Sequence, residues 1–201
     1  MSFGRLLLAT KNQAKVKEYR GLLEGIPWTI IDLRDAGIMH DVEETGSSFE
    51  ENALLKATIY SRLSGLTTLA DDSGLEVDAL EGEPGIRSAR YAGEGASQKE
   101  LIAHLLHKLE GIPQQKRNAR FKCVIVISAP GGEYELFTGE CPGIIAFKPS
   151  GKEGFGYDPV FFLPESGKTM AELNMEQKNA ISHRGKAAEK ARHYLTTCVS
   201  I

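Results

Sequence analysis

The opening third of the chain alternates short apolar runs with amphipathic stretches, and this alternation limits the fold more than any other feature. RLLLAT, Arg5 to Thr10, has the length and content of a buried strand. The segment from about Gln13 to Glu24 places Val16, Tyr19 and Leu23 on one helical face. WTIIDL reads as a second strand, and Phe49 to Leu63 as a helix. Ser47 or Ser48 can cap that helix, since each has a glutamate three residues later, the spacing of a capping box. LTTLA, ending at Ala70, is a third strand. The glycine-rich stretch from Ala79 to Gly95 is loop, and Gln98 to Leu109 is a helix. FKCVIVISA and YELFTGE then form a hairpin around Pro130, Gly131 and Gly132. PVFFL is a short strand and HRGKAAEKARHYL the last helix. Early alternation of strand and helix, with a hairpin in the middle, predicts an α/β fold on a mixed sheet. No repeat, low-complexity tract or linker interrupts it, so residues 1–201 read as a single domain.

Composition matters mainly for what it excludes. A chain of 201 residues, 41% hydrophobic and 25% charged, can bury a sizeable core as one large domain or two small lobes. A net charge of -3 argues against a general nucleic-acid binder, which needs a basic excess. A small anionic ligand is still compatible with it, because a local lysine cluster can act inside an acidic protein. Cys123, Cys141 and Cys198 are far apart and odd in number, with no CxxC pair, which points to a reducing compartment. LLLA is too short for a signal-peptide core, and no run reaches membrane-spanning length, so no membrane is expected and the protein reads as cytoplasmic.

Against this background several segments carry chemistry. TKNQAK, Thr10 to Lys15, joins the first strand to the first helix, where backbone N–H groups and the helix dipole suit a phosphate. Lys11, Lys15 and Lys17 crowd that helix start, each unfavourable there by about 0.3–1 kcal/mol unless an anion offsets it. The plain alternative is a solvated surface turn. In the helix FEENALLKATIYSRL, Asn52 and Lys56 fall inside the apolar arc four residues apart. A lysine in mid-face either snorkels to the edge or lines a polar cleft, and the neighbouring features favour the cleft. Glu43 and Glu44, just upstream, are within reach of the same place.

ADDSG, Ala70 to Gly74, sets two carboxylates at the end of a strand, where α/β enzymes carry metal ligands and general bases. The same residues also favour a simple turn. If the strand continues through them, Asp71 and Asp72 point to opposite faces, and which one meets a ligand is open. EGFGYDPVFF flanks Phe155 with glycines and suits a platform for stacking a base. In EQKNAISHRGKA, Ser182 reads as a cap that puts His183 and Arg184 in the first turn of the last helix, with donors for a carbonyl or phosphate oxygen. SGKT, Ser166 to Thr169, is not a phosphate-binding loop, since the spacing requires glycine where Phe162 stands. His104 and His107 lack a third ligand nearby in the sequence.

Taken together, ATKNQAK, EETGSSFEENALLKA, LADDSGLEVDALEGEPGIRSARYAG, GFGYDPVFF, and KTMAEL with KNAISHRGKA resemble the inosine triphosphate pyrophosphatase family, in its bacterial branch. They run in the family's order from Ala9 to Ala187. The resemblance implies a mixed twisted sheet with flanking helices, two lobes around a central cleft, and a homodimer. It implies a nucleoside triphosphate as the small-molecule partner and Mg²⁺-dependent cleavage between the α and β phosphates, giving the monophosphate and pyrophosphate. Carried over by motif, Thr10, Lys11, Asn12, Gln13, Ala14 and Lys15 hold the triphosphate. Glu43 and Asp72 serve the metal, and Asp72 is also the catalytic proton acceptor, with Asp71 bracing the loop. Lys56 serves the phosphates or the metal-site carboxylates, and Ser73 contacts substrate. Phe155, Gly156, Tyr157 and Asp158 bind the nucleoside, Phe155 stacking on the base, while Lys178, His183 and Arg184 read the 6-keto edge of ITP, dITP or XTP. Lys11 departs from the glycine or small residue common at its position.

Two rival readings fit parts of the pattern: a pyrophosphatase for a modified pyrimidine nucleotide, and a nucleotide sensor that has lost catalysis. SHRGKA favours the purine family over the first, and the intact set of Glu43, Asp72 and Lys56 argues against the second.

Overall fold

Leu6, Leu7 and Leu8 are all fully buried, as a strand needs to be when both of its faces are covered. The computed structural model describes residues 4–197. In chain order the elements are β1 (Arg5–Leu8), α1 (Gln13–Leu22), β2 (Thr29–Asp32), α2 (Phe49–Ser64), β3 (Thr67–Val77), α3 (Gln98–Lys108), β4 (Asn118–Ser128), β5 (Tyr134–Ile145), β6 (Phe161–Leu163), β7 (Lys168–Thr169), α4 (Met175–Ile181) and α5 (His183–Thr197). The sheet order is β2-β1-β3-β4-β5-β6-β7. β1 pairs in parallel with β2 and β3, while β5–β6 and β6–β7 are antiparallel, so the sheet is mixed and the fold is α/β as expected.

The chain divides into two compact units. Unit 1 comprises Met1–Asp72, Cys123–Gly139 and Arg184–Ile201, and unit 2 comprises Ser73–Lys122 and Glu140–His183. In unit 1, Leu6, Leu8, Leu69 and Ile125 pack with Val16 and Tyr19 of α1 and with Ala187 and Ala188 of α5. Strand alternation turns Leu7, Ala70 and Asp72 to the opposite face, the side of α2 with its buried Ala53 and Ala57. In unit 2, Leu75, Val77, Phe121, Ile145 and Phe161 form a core with Leu101 and Leu105 of α3.

The helices start where their caps are. Asn12 Oδ1 accepts from the N–H groups of Ala14 and Lys15 at 2.9 and 3.3 Å. At α2 both candidate serines act: Ser48 Oγ caps the N–H of Glu51, and the Glu51 carboxylate accepts from the N–H and Oγ of Ser47. The helix ends at Gly65, whose φ of 67° is left-handed.

Three expectations change. LTTLA does not end in a turn: β3 runs on through Asp71, Asp72, Ser73 and Gly74 to Val77, because Leu75 and Val77 continue the buried alternation. In PVFFL, Pro159 and Val160 belong to a 3-10 turn and the strand begins at Phe161. α4 was not foreseen. It is short and weakly apolar, and it is started by a capping box between Asn174 and Gln177.

Candidate active site

Because β3 continues through the aspartate pair, Asp71 and Asp72 leave it on opposite faces. Both are buried, but their neighbours differ. Asp71 Oδ2 accepts from Lys15 Nζ at 2.9 Å and lies 3.6 Å from Arg184 Nη2. Arg184, only 2% exposed, also pairs with Glu18 at 2.7 Å. Burial alone pushes the Asp71 carboxyl upward, but the charges of Lys15, Arg184 and Lys56 outweigh it and hold Asp71 well below the usual carboxylate range. The Cys123 thiol lies against the same carboxylate at 4.0 Å, and burial together with Asp71 pushes it up to about 12.

Asp72 looks toward α2. Its Oδ2 accepts from Asn52 Nδ2 at 3.1 Å, and its Oδ1 is 3.9 Å from Lys56 Nζ. Lys56 also donates to Glu44 and, at 2.7 Å, to the carbonyl of Asp71. It therefore does not snorkel outward, because its charge is bound within the fold. Burial pulls its ammonium down, yet Asp72, Asp71 and Glu44 together keep it above its ordinary value. Burial likewise dominates at Asp72, and with the Glu44 charge added it outweighs the help of Lys56, Lys15 and Asn52, so the carboxyl is pushed up to about 6. A carboxylate in that range is ionised at neutral pH and still basic enough to take a proton.

The structure distributes the other expected residues unevenly. Lys15 turns inward to Asp71, so the anion that offsets its place at the helix start is one of the protein's own. Lys11 is exposed and pairs with Asp41 at 3.2 Å. Thr10 Oγ1 accepts from the Asn12 N–H at 3.2 Å, while Asn12 and Gln13 are exposed and Ala14 is half-buried. Of the two loop glutamates, Glu44 meets Lys56 and Glu43 is exposed.

In unit 2, Ser73 is half-buried on β3. The GFGYD loop is organised by Asp158, whose Oδ2 accepts from the Phe155 N–H at 2.9 Å and from Lys178 Nζ at 2.6 Å. Lys178 Nζ also lies 4.9 Å from the centre of the half-buried Phe155 ring. Gly154 has a φ of 74°, and a Cβ there would overlap Asp158 Oδ2. Gly156 is also left-handed, at 62°. Tyr157 is core: its ring is buried and its hydroxyl donates to the Ser88 carbonyl at 2.9 Å. His183 is buried and stacks on Phe121 with ring centres 4.7 Å apart. Expected at the purine edge, Arg184 instead has its guanidinium on Glu18 and Asp71 of unit 1.

Glu18 is the residue sequence reasoning missed. A glutamate within a lysine-rich helix reads as surface, and no local signal marks it as buried. Asn52 was marked by its place in the apolar arc, but only the structure supplies its partners, Asp72 and the Gly46 N–H at 2.8 Å. The two carboxylates that meet at Lys56, Asp72 and Glu44, are the hard oxygen donors here that a divalent cation would use.

The family model of the Ham1 family matches residues 6–194. The dITP/XTP pyrophosphatase of Geobacter sulfurreducens is 50% identical over 191 residues, 95% of this chain and 96% of that protein. The dITP/XTP pyrophosphatase of Bacillus subtilis is 44% identical over 184 residues, covering 92% and 93%. Among solved structures, a HAM1 protein from Coxiella burnetii matches with a TM-score of 0.88 at 41% identity over 98% of this chain and 99% of that one. The Ham1 protein of Staphylococcus aureus matches with a TM-score of 0.85 at 44% identity, covering 95% and 97%.

Proposed function

Because the chain belongs to the Ham1 family, we infer that it is a nucleoside triphosphate pyrophosphatase that hydrolyses ITP, dITP and XTP to the monophosphate and pyrophosphate, clearing deaminated purines from the nucleotide pool. The observation that carries the chemistry is Asp72, a buried carboxyl pushed up to about 6 beside Lys56 and Glu44. The substrate class is supported by near full-length relatives named dITP/XTP pyrophosphatases.

In this reading Asp72 takes the proton of the water that attacks phosphorus, most directly the α phosphorus, and pyrophosphate departs. Lys56, with the Thr10–Lys15 loop and its Lys11, binds the phosphates, while the Lys15 ammonium is held by Asp71. The oxygen donors of Asp72 and Glu44 fit Mg²⁺, and Glu43 is a further candidate on the same loop. When bound there, Mg²⁺ supplies charge neutralisation for the triphosphate. Ser73 contacts the substrate and Phe155 stacks on the base, its backbone held by Asp158. Lys178 and His183 are the donors for the 6-keto oxygen. A 6-amino group would meet donors with a donor, so adenine is disfavoured. Tyr157 supports this loop from the core, and Arg184 acts on Asp71 rather than on the base.

The proposal extends to one catalytic domain over residues 1–201, acting as a homodimer in the cytoplasm. Among the described residues no helix is long and apolar enough to cross a membrane. Sedimentation of the purified protein tests the dimer. The decisive assay is pyrophosphate release with Mg²⁺ from ITP, XTP, dITP, GTP, ATP and a methylated pyrimidine triphosphate. Preference for the first three is expected. Preference for the pyrimidine, or nucleotide binding without turnover, overturns the assignment.

A further inference from the structure

We propose that Asn52 is a positioning residue for Asp72: pinned by the Gly46 N–H, its side-chain amide holds Asp72 Oδ2 and so fixes how the carboxylate is turned. This rests on Asp72 being the general base. Asn52 is fully buried on the apolar side of α2, an environment that a polar side chain tolerates only when its hydrogen bonds are made. A carboxamide can present either end to a neighbour, and here the backbone decides which. The N–H of Gly46 can only donate, so the atom facing it at 2.8 Å is Asn52 Oδ1. That leaves the NH₂ group aimed at Asp72 Oδ2 at 3.1 Å. This end of the amide has donors and no acceptor. The bond therefore holds Oδ2 in place as an acceptor. With Oδ2 held, Oδ1 is fixed on the Lys56 side, 3.9 Å from Nζ.

Gly46 makes the arrangement possible. A Cβ at this position would lie 2.7 Å from Asn52 Oδ1 and 2.7 Å from Glu51 Cβ, closer than real Cβ contacts allow. Residue 46 therefore lacks a side chain so that its N–H can reach the amide. The same bond joins the loop carrying Glu44 to the helix that orients Asp72.

Two substitutions separate orientation from packing. Asn52→Asp keeps the shape but puts an oxygen where the NH₂ group was, and Asn52→Ala removes the group. With ITP as substrate, Asn52→Asp is expected to lose on the order of 100-fold in kcat and Asn52→Ala about tenfold, with KM within about threefold of wild type in both. A packing role predicts the opposite order. An equal or larger loss in Asn52→Ala, or a folded Asn52→Asp with wild-type kcat, overturns the proposal. Thermal unfolding followed by circular dichroism identifies any variant that fails to fold. If Asn52→Asp fails, Gly46→Ala displaces the amide from outside, and about a tenfold drop in kcat at unchanged KM is expected; wild-type kcat there is the overturning result. If wild-type protein releases no pyrophosphate from ITP, the function itself falls. If wild type turns over and the variants keep their kcat, only the role of Asn52 falls.

Discussion

On the side of β3 that faces α1 and α5, Asp71 meets Lys15 and Arg184, and Arg184 also holds Glu18. On the side that faces α2, Asp72 and Glu44 share Lys56. The first set balances two cations against two carboxylates. In the second, Lys56 lies between two carboxylates. Two adjacent aspartates, both buried, are driven in opposite directions, Asp71 below the usual range and Asp72 up to about 6. Burial alone pushes both upward; at Asp71 the charges of Lys15, Arg184 and Lys56 outweigh it, and at Asp72, with Glu44 added, burial prevails. The balanced face is suited to holding the fold together. The Asp72 face, where burial prevails, is suited to accepting a proton or a cation.

The most direct way to break this comparison is to neutralise each aspartate in turn. Asp72→Asn is expected to lower kcat for ITP on the order of 10²–10⁴-fold without lowering the melting temperature, because the native environment already disfavours the ionised group. Retained turnover in pyrophosphate release, or a lost fold by circular dichroism, would reverse the roles. Asp71→Asn leaves Lys15 and Arg184 without their shared carboxylate and should cost about 3–5 kcal/mol in urea denaturation. An unchanged midpoint would mean that the balanced face does not support the fold.

Acid sharpens the same contrast. The folded pKa of Asp71 is depressed, so its contribution to stability is complete above its ordinary value near 3.8 and is lost as pH falls through the lower folded value. Wild-type stability should therefore decline more steeply below about pH 4 than that of Asp71→Asn. The smallest expected effect concerns Cys123, whose thiol is pushed up to about 12 on the Asp71 side. Iodoacetamide at pH 8 should leave the Cys123 peptide unmodified in native protein and alkylate it after denaturation, as read by peptide mass. Prompt native alkylation would show that this face opens. Cys141 is also buried, and Cys198 lies outside the described residues.

The parts of this arrangement that depend on local order were legible in the sequence. Period-two alternation put the aspartates on different faces, and helical periodicity marked Asn52 and Lys56 as polar residues in an apolar arc. The cap at Ser48 follows from residue type and position. α4 was equally readable, since Asn174 and Gln177 have the spacing of a capping box, but its short, polar sequence shows little periodicity. Long-range pairing was not legible. Lys15 reads as a phosphate ligand until Asp71, 56 residues away, is seen to hold it. Arg184 reads as a base contact until Glu18, 166 residues away, is placed beside it. A charge in a sequence shows that a partner is needed, and only the fold says whether the partner is a ligand or another part of the chain.

That last pair also bears on how the protein is made. Glu18 and Asp71 are synthesised early, and Arg184 only near the end. At about 5–20 residues per second, the 166 residues between Glu18 and Arg184 occupy the ribosome for on the order of ten seconds. Until Arg184 is made, neither carboxylate has its arginine. A chain interrupted before Arg184 therefore leaves Glu18 and Asp71 without the arginine that faces both.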